Sequence, residues 1–261
     1  MRLAIRDLDV RFGDRQVVDI DELSIGPGEI VGLAGESGSG KSMTTLAVLG
    51  LAHTVGATVR GSIALDGTEL TTLTQGGLRD VRGRRIAAIF QSPSMSFNPV
   101  FRVGRVMHGA LRLHGMSKGE ASEAASRAMR QVLLSPDLLD RYPGHLSGGQ
   151  LQRVAIAIAL ALRAQVLLAD EPTSALDVTV QAEVLDLIRE LREREGMSVL
   201  FISHDLAVVG ELCDRVALMR GGRIVEQGPA STVLSAPKDP YTADLLAAVP
   251  TIPSGPVQAA P

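Results

Sequence analysis

Three places in the chain combine residue types whose spacing suits phosphate chemistry. The first is GESGSGKS, Gly35–Ser42. It fits the pattern G-x-x-x-x-G-K-[ST], in which a glycine-rich turn between a strand and a helix points successive backbone N–H groups at phosphate oxygens. Gly38 and Gly40 permit the curled backbone this requires. Lys41 brings a positive charge to the terminal phosphates, Ser42 offers a hydroxyl to Mg²⁺, and the helix beginning there aims its positive dipole end at the same point. Gly35, Glu36, Ser37, Gly38, Ser39, Gly40, Lys41, Ser42 and Met43 together form the candidate nucleotide-binding segment.

The second place is VLLADE, Val166–Glu171. An apolar strand delivers Asp170 to a metal or to a metal-bound water. Glu171 follows one residue later, where the backbone has left the strand and a carboxylate can face an attacking water. A plainer alternative is that the two acids cap a following helix.

The third place is LSGGQ, Leu146–Gln150. Ser147, Gly148, Gly149 and Gln150 make another anion-seeking helix start. It lies roughly a hundred residues beyond Lys41. A nucleotide seated on Lys41 could be met by it only from the opposite side. Standing alone, the same residues could be a helix N-cap with glycines for close packing.

The elements that must position these groups follow from hydrophobic patterning. LAIRDLDVRF (Leu3–Phe12) alternates like an edge strand, and EIVGLAG (Glu29–Gly35) reads as a buried strand feeding a turn. Lys41–Leu51 reads as a helix, with strand-like pieces at Gly61–Gly67 and Arg84–Gln91. Between Pro99 and Pro143 strand signals vanish, and Ser117–Leu134 is alanine-rich and helix-prone with Ser117 as N-cap. After Leu146 the pattern predicts helix 150–162, strand 165–170, helix 178–195, strand 198–203, helix 206–212 and strand 215–220. Such alternation implies βαβ units and a parallel sheet covered on both faces. Arg192–Glu195 reads as a solvated helix end, and the proline-rich tail 251–261 as unstructured.

Composition bounds the function. The 261 residues are 45% hydrophobic and 21% charged, with net charge −3, so the bulk balance does not favour nucleic acid as a partner. The longest apolar run, Val154–Leu162, is about half a bilayer crossing. The opening MRLAIRDLDV has no signal-peptide core, and the single cysteine, Cys213, excludes an internal disulfide. These features point to a cytosolic protein whose membrane role, if any, comes through a partner.

GESGSGKS, LSGGQ and VLLADE, in that spacing, resemble the ATP-binding subunits of ABC transporters, over about Leu3 to Pro250. The resemblance implies an α/β P-loop fold with a RecA-like parallel-sheet core, an N-terminal antiparallel β subdomain and an α-helical insertion at about 99–146. It implies one nucleotide-binding domain over 1–250 and ATP and Mg²⁺ as ligands. Phe12 would stack on adenine, Gln91 would match the glutamine that contacts the metal or the water, and Ser174–Asp177 (SALD) would cross a dimer interface. His204, in FISHD, would address the γ-phosphate, with Glu171 as the catalytic base and Ser42, Gln91 and Asp170 as metal ligands. Leu146–Gln150 would press on ATP held by a second, homologous or identical ATPase subunit.

IFQSPSMSFNPVFRVG (Ile89–Gly104) and APKDPYTADLLAAVP (Ala236–Pro250) resemble the oligopeptide, dipeptide and nickel importers. That implies ATP-driven uptake through two transmembrane permease subunits from an extracytoplasmic binding protein, with this chain peripheral on the cytoplasmic face of the inner membrane. A nickel or metal-chelate cargo is the alternative, and a soluble ATPase of translation or repair a more distant one. The cysteine cluster that many members of that group carry near the C-terminus is absent here. The segment 79–112 carries seven arginines against Asp80, read either as solvated surface or as part of a docking groove for the membrane subunit.

Overall fold

A computed structural model describes residues 1–91, 96–174 and 176–248. Part of the importer-like segment (92–95), Ala175 of SALD and the expected tail 251–261 lie outside the described residues.

Two sheets organise the chain. β1 (Leu3–Phe12), β2 (Arg15–Ile25), β4 (Thr58–Leu65) and β5 (Thr68–Glu69) form a four-stranded antiparallel sheet in the order β2-β1-β4-β5. β3 (Ile30–Ala34), β6 (Ile86–Ile89), β7 (Val166–Asp170), β8 (Ser198–Ser203), β9 (Arg215–Arg220) and β10 (Arg223–Pro229) form a six-stranded sheet in the order β10-β9-β3-β8-β7-β6. Its pairs are parallel except the β9–β10 hairpin. β2 and β10 are strands that periodicity did not single out. Each is the second arm of a hairpin, and pairing with its predecessor overrides its weaker pattern.

The inner strands are buried on both faces, so their side chains divide with period two. Val166, Leu168, Leu200 and Ile202 pack with the antiparallel sheet and with α1 (Lys41–Val48). Leu167, Ala169, Val199 and Phe201 pack on the other side with the helices.

Between β6 and β7 the described chain is helical: α3 (Val103–Leu113), α4 (Lys118–Gln131), two 3₁₀ turns and α5 (Gly148–Ala161). α2 (Gln75–Val81) precedes β6. Ser117 caps α4 through a reciprocal box with Glu120. α6 (Val178–Glu195) and α7 (Leu206–Leu212) match their predicted bounds, and α8 (Ala230–Ser235) and α9 (Pro240–Ala247) follow β10.

Two surface readings change. Arg192 is not merely solvated: its Nε donates to Gly28 O at 2.9 Å and its Nη2 to Asp214 Oδ1 at 2.8 Å, tying α6 to the entry of β3. The arginine-rich segment is partly structural too. Arg82 donates to Leu49 O and Gly50 O behind α1, and Arg85 to Leu65 O at 3.0 Å. Charge counting could not show this, because guanidinium groups that close off helix and strand carbonyls leave no periodic signature.

Candidate active site

The strand order β3-β8-β7-β6 sets four neighbouring strand ends in a row, and the loops that leave them carry the predicted chemistry. β3 leads into Gly35–Ser42, β8 into His204, β7 into Asp170 and Glu171, and β6 into Gln91. Phe12, Ser37, Gly38, Gly40, Lys41, Ser42, Met43, Gln91, Glu171 and His204 line one cavity of about 550 Å³. Val17 also lines it, and as an ordinary strand valine it gave no signal in the sequence.

The loop is built for an anion. Its helix, α1, is entered from Gly40, whose φ of 109° is left-handed, and among the described residues has no side-chain cap and no acid in its first turn. The first amides of α1 are therefore not consumed by a cap. Gly38 has φ +80° and nothing among the described residues within 4 Å of where a Cβ would stand, so the loop is open there. Gly35 and Gly40 are crowded instead: a Cβ on Gly35 would lie 2.1 Å from Met219 O, and one on Gly40 2.8 Å from Val17 O. Glycine is required at both for close backbone approach.

Lys41 is 5% exposed. Its ammonium donates to Gly35 O at 2.7 Å and Glu36 O at 2.8 Å. Burial pushes its pKa below the ordinary value, against the pull of Glu171, Asp170 and Glu36. Asp170, also 5% exposed, is shifted the other way: burial raises its carboxyl pKa, opposed by a hydrogen bond with the Ser42 side chain and by Lys41. A buried carboxylate beside a hydroxyl is an all-oxygen donor pair of the kind Mg²⁺ uses together with phosphate oxygens. Among the described residues no group of three or more His, Cys, Asp or Glu side chains could hold a metal alone. The residues fit a nucleotide-borne Mg²⁺.

Glu171 has φ +48°, a left-handed conformation that costs a non-glycine residue about 1 kcal/mol or more. Its amide still donates to Ile202 O at 2.9 Å, continuing the β7–β8 ladder while the side chain turns into the cavity. Gln91 Nε2 donates to Glu171 Oε2 at 2.8 Å, and His204 Nδ1 stands 3.1 Å from Glu171 Oε1. An ionised carboxylate only accepts, so when Glu171 is charged the donor in this contact is the imidazole N–H of His204. The capping alternative for Asp170 and Glu171 does not hold, because Asp177 caps the following helix by accepting from Val180 N at 3.0 Å.

Leu146–Gln150 does not join this cavity. Ser147 Oγ accepts from Gln150 N at 3.2 Å, and Gln150 Oε1 accepts from Ser147 N at 2.9 Å. A Cβ on Gly149 would stand 2.2 Å from Val180 Cγ1, so this glycine lets α5 approach α6. Both features of the plainer reading are thus present. Ser147 and Gly148 nevertheless remain exposed outside this cavity. Among the described residues no helix is long and apolar enough to cross a membrane.

Comparison with known proteins shows the family. The dipeptide transport ATP-binding protein DppD of Escherichia coli K12 is 41% identical over 256 residues, spanning 95% of this chain and 78% of that protein. DppD of Haemophilus influenzae is 40% identical over 260 residues, spanning 97% and 79%. The dimeric structure of MJ0796, a bacterial ABC transporter cassette, superposes with a TM-score of 0.75 at 27% identity, covering 87% of this chain and 98% of that one. The family model described as ABC transporter matches residues 18–174. With its loop, strand order and relatives in agreement, the chain belongs to the ABC transporter family.

Proposed function

We propose that this protein is the ATP-hydrolysing motor of a peptide importer. One observation carries the chemistry: the Glu171 carboxylate, gripped by Gln91 and His204, lines the same cavity as Lys41 and Ser42. A base held this way orients water against the terminal phosphate of an ATP lying on the loop, and accepts its proton.

The remaining residues bind and orient. Phe12, 36% exposed at the cavity rim, offers its ring face to adenine. The amides from Gly38 onward and the start of α1 take the phosphates, and Lys41 exchanges its loop carbonyls for phosphate oxygens. Ser42, Asp170 and the amide oxygen of Gln91 would hold Mg²⁺, which neutralises phosphate charge when bound. His204 holds Glu171 in place and addresses the γ-phosphate.

Ser147, Gly148, Gly149 and Gln150 act on the nucleotide of a second ATPase subunit. The exposure of Ser147 and Gly148 outside the cavity of their own chain supports this, and MJ0796 is described as a dimer. Residues 1–250 work as one nucleotide-binding domain with the helices of 99–146 inserted. It docks on two transmembrane permease subunits at the cytoplasmic membrane face and is served indirectly by an extracytoplasmic binding protein. The named role of both DppD relatives supports a peptide cargo over nickel.

The test is reconstitution of the chain with its permease and binding protein in liposomes. ATP-dependent uptake of a labelled dipeptide is expected. Uptake of Ni²⁺ alone, or ATP hydrolysis with no uptake of either, would overturn the cargo assignment.

A further inference from the structure

The segment Asp239-Pro240-Tyr241-Thr242 has no part in the chemistry above, yet it reaches the phosphate loop from behind. Tyr241, on α9, is 5% exposed. Its hydroxyl accepts from Glu36 N at 3.1 Å and donates to Met219 O at 3.4 Å. The guanidinium of Arg220 lies 4.9 Å over its ring.

The peptide unit between Gly35 and Glu36 makes this contact consequential. In a trans peptide the C=O and the N–H point in opposite directions. The Gly35 carbonyl accepts from Lys41 Nζ at 2.7 Å, while the Glu36 N–H donates to Tyr241. One plane is therefore held from both ends, by the phosphate-loop lysine inside and the tyrosine outside. Met219 O, the other partner of the hydroxyl, is the atom that a Cβ on Gly35 would strike. At the far end of the loop, Gly222 N donates to Ser39 O at 2.9 Å. The loop is thus braced by the β9–β10 hairpin at one end and by α9 at the other.

We infer that Tyr241 is a positioning residue for ATP binding: its hydroxyl fixes the Gly35–Glu36 peptide and thereby the reach of Lys41. This rests on the reading of Gly35–Ser42 as the nucleotide cradle. Without the hydroxyl the peptide plane can rotate, and ordering it again is charged against nucleotide affinity.

The experiment measures binding of Mg²⁺ and a non-hydrolysable ATP analogue by calorimetry for the full chain, Tyr241→Phe, Asp239→Ala and Lys41→Ala, with melting temperatures alongside. Tyr241→Phe is expected to weaken binding roughly three- to tenfold, the worth of one hydrogen bond, with kcat at saturating ATP changed less than about twofold. Asp239→Ala loosens α9 by removing the side chain that accepts from Tyr241 N, but keeps the hydroxyl; its affinity is expected within about twofold of the unaltered chain. Unchanged affinity in Tyr241→Phe, or an equal loss in Asp239→Ala, overturns the inference and leaves the cradle reading intact, provided Lys41→Ala abolishes binding. No binding by the unaltered chain would overturn both. If Tyr241→Phe does not fold, hydrogen exchange at the Glu36 amide of the unaltered chain decides: protection is expected, and exchange at the rate of an open loop overturns the inference.

Discussion

Glu171 Oε1 and His204 Nδ1 stand 3.1 Å apart at the ends of adjacent parallel strands, although 33 residues separate them. The other oxygen of the carboxylate is taken by Gln91 from the next strand, β6. Three strands thus converge on one carboxylate, which is what a water-orienting base needs if it is to keep one direction.

Replacing Glu171 with Gln keeps the size and the hydrogen-bond acceptor but removes the basic group. ATP affinity is expected to stay within about threefold, while turnover slows roughly 10²–10⁴-fold. Single-turnover hydrolysis checks this. A rate near that of the unaltered chain would show that another group receives the proton.

His204→Ala removes the donor to Oε1 and leaves the Gln91 contact in place. Hydrolysis at saturating ATP is expected to fall roughly 10²-fold or more, with equilibrium binding little changed. His204 is exposed, so the melting temperature is expected to stay nearly constant, which separates a catalytic loss from an unfolding one.

Gly148 and Gly149 make a matched pair. Among the described residues a Cβ on exposed Gly148 would meet only Leu176 Cδ2, at 3.5 Å, whereas one on Gly149 would meet Val180 at 2.2 Å. Gly149→Ala is expected to destabilise the fold by about 1–3 kcal/mol through overpacking of α5 on α6. Gly148→Ala is expected to melt normally and to lower ATP-driven dimerisation, read by light scattering with a non-hydrolysable analogue. Normal dimerisation would count against the two-subunit site.

The docking of α9 is expected to depend on pH through Glu226. Burial raises its pKa, but the amides of Lys238 and Asp239, which donate at 2.9 and 3.1 Å, together with the Thr242 hydroxyl and the charge of Lys238 outweigh that and hold it below its ordinary 4.5. A depressed carboxylate pKa adds stability that is present above the unfolded-state value and lost as pH falls through the folded one. The difference in melting temperature between the unaltered chain and Glu226→Gln is therefore expected to be largest near neutrality and to shrink below about pH 4.5. A difference that is constant with pH would assign the effect to packing.

Much of this was legible because it is local. The turn at Gly35–Ser42 needs glycines at fixed offsets, the Ser117 and Asp177 caps sit beside their helices, and the continuous apolar runs 166–169 and 199–202 follow from burial on two faces. β2, β10 and α9 were not legible in this way: β2 and β10 are fixed by pairing with the strand just before them, which outweighs their own weak pattern, and α9 by the phosphate loop far back along the chain. Arg192 belongs with them, because a helix-end arginine looks alike whether it meets water or Asp214.

The amino-acid order alone determined which groups could hold phosphate, bind a metal and receive a proton, because those capacities reside in residue type and in spacing over a few positions. It also determined that Ser147 and Lys41 each open a helix. Only the tertiary structure decided which of them share a cavity. The order β3-β8-β7-β6 is a long-range pairing choice, and it sets Lys41, His204, Glu171 and Gln91 side by side while leaving Ser147 outside. The hydroxyl of Tyr241 reaches Glu36 from 205 residues away for the same reason: backbone hydrogen bonding between distant strands, not local preference, fixes where the loop lies.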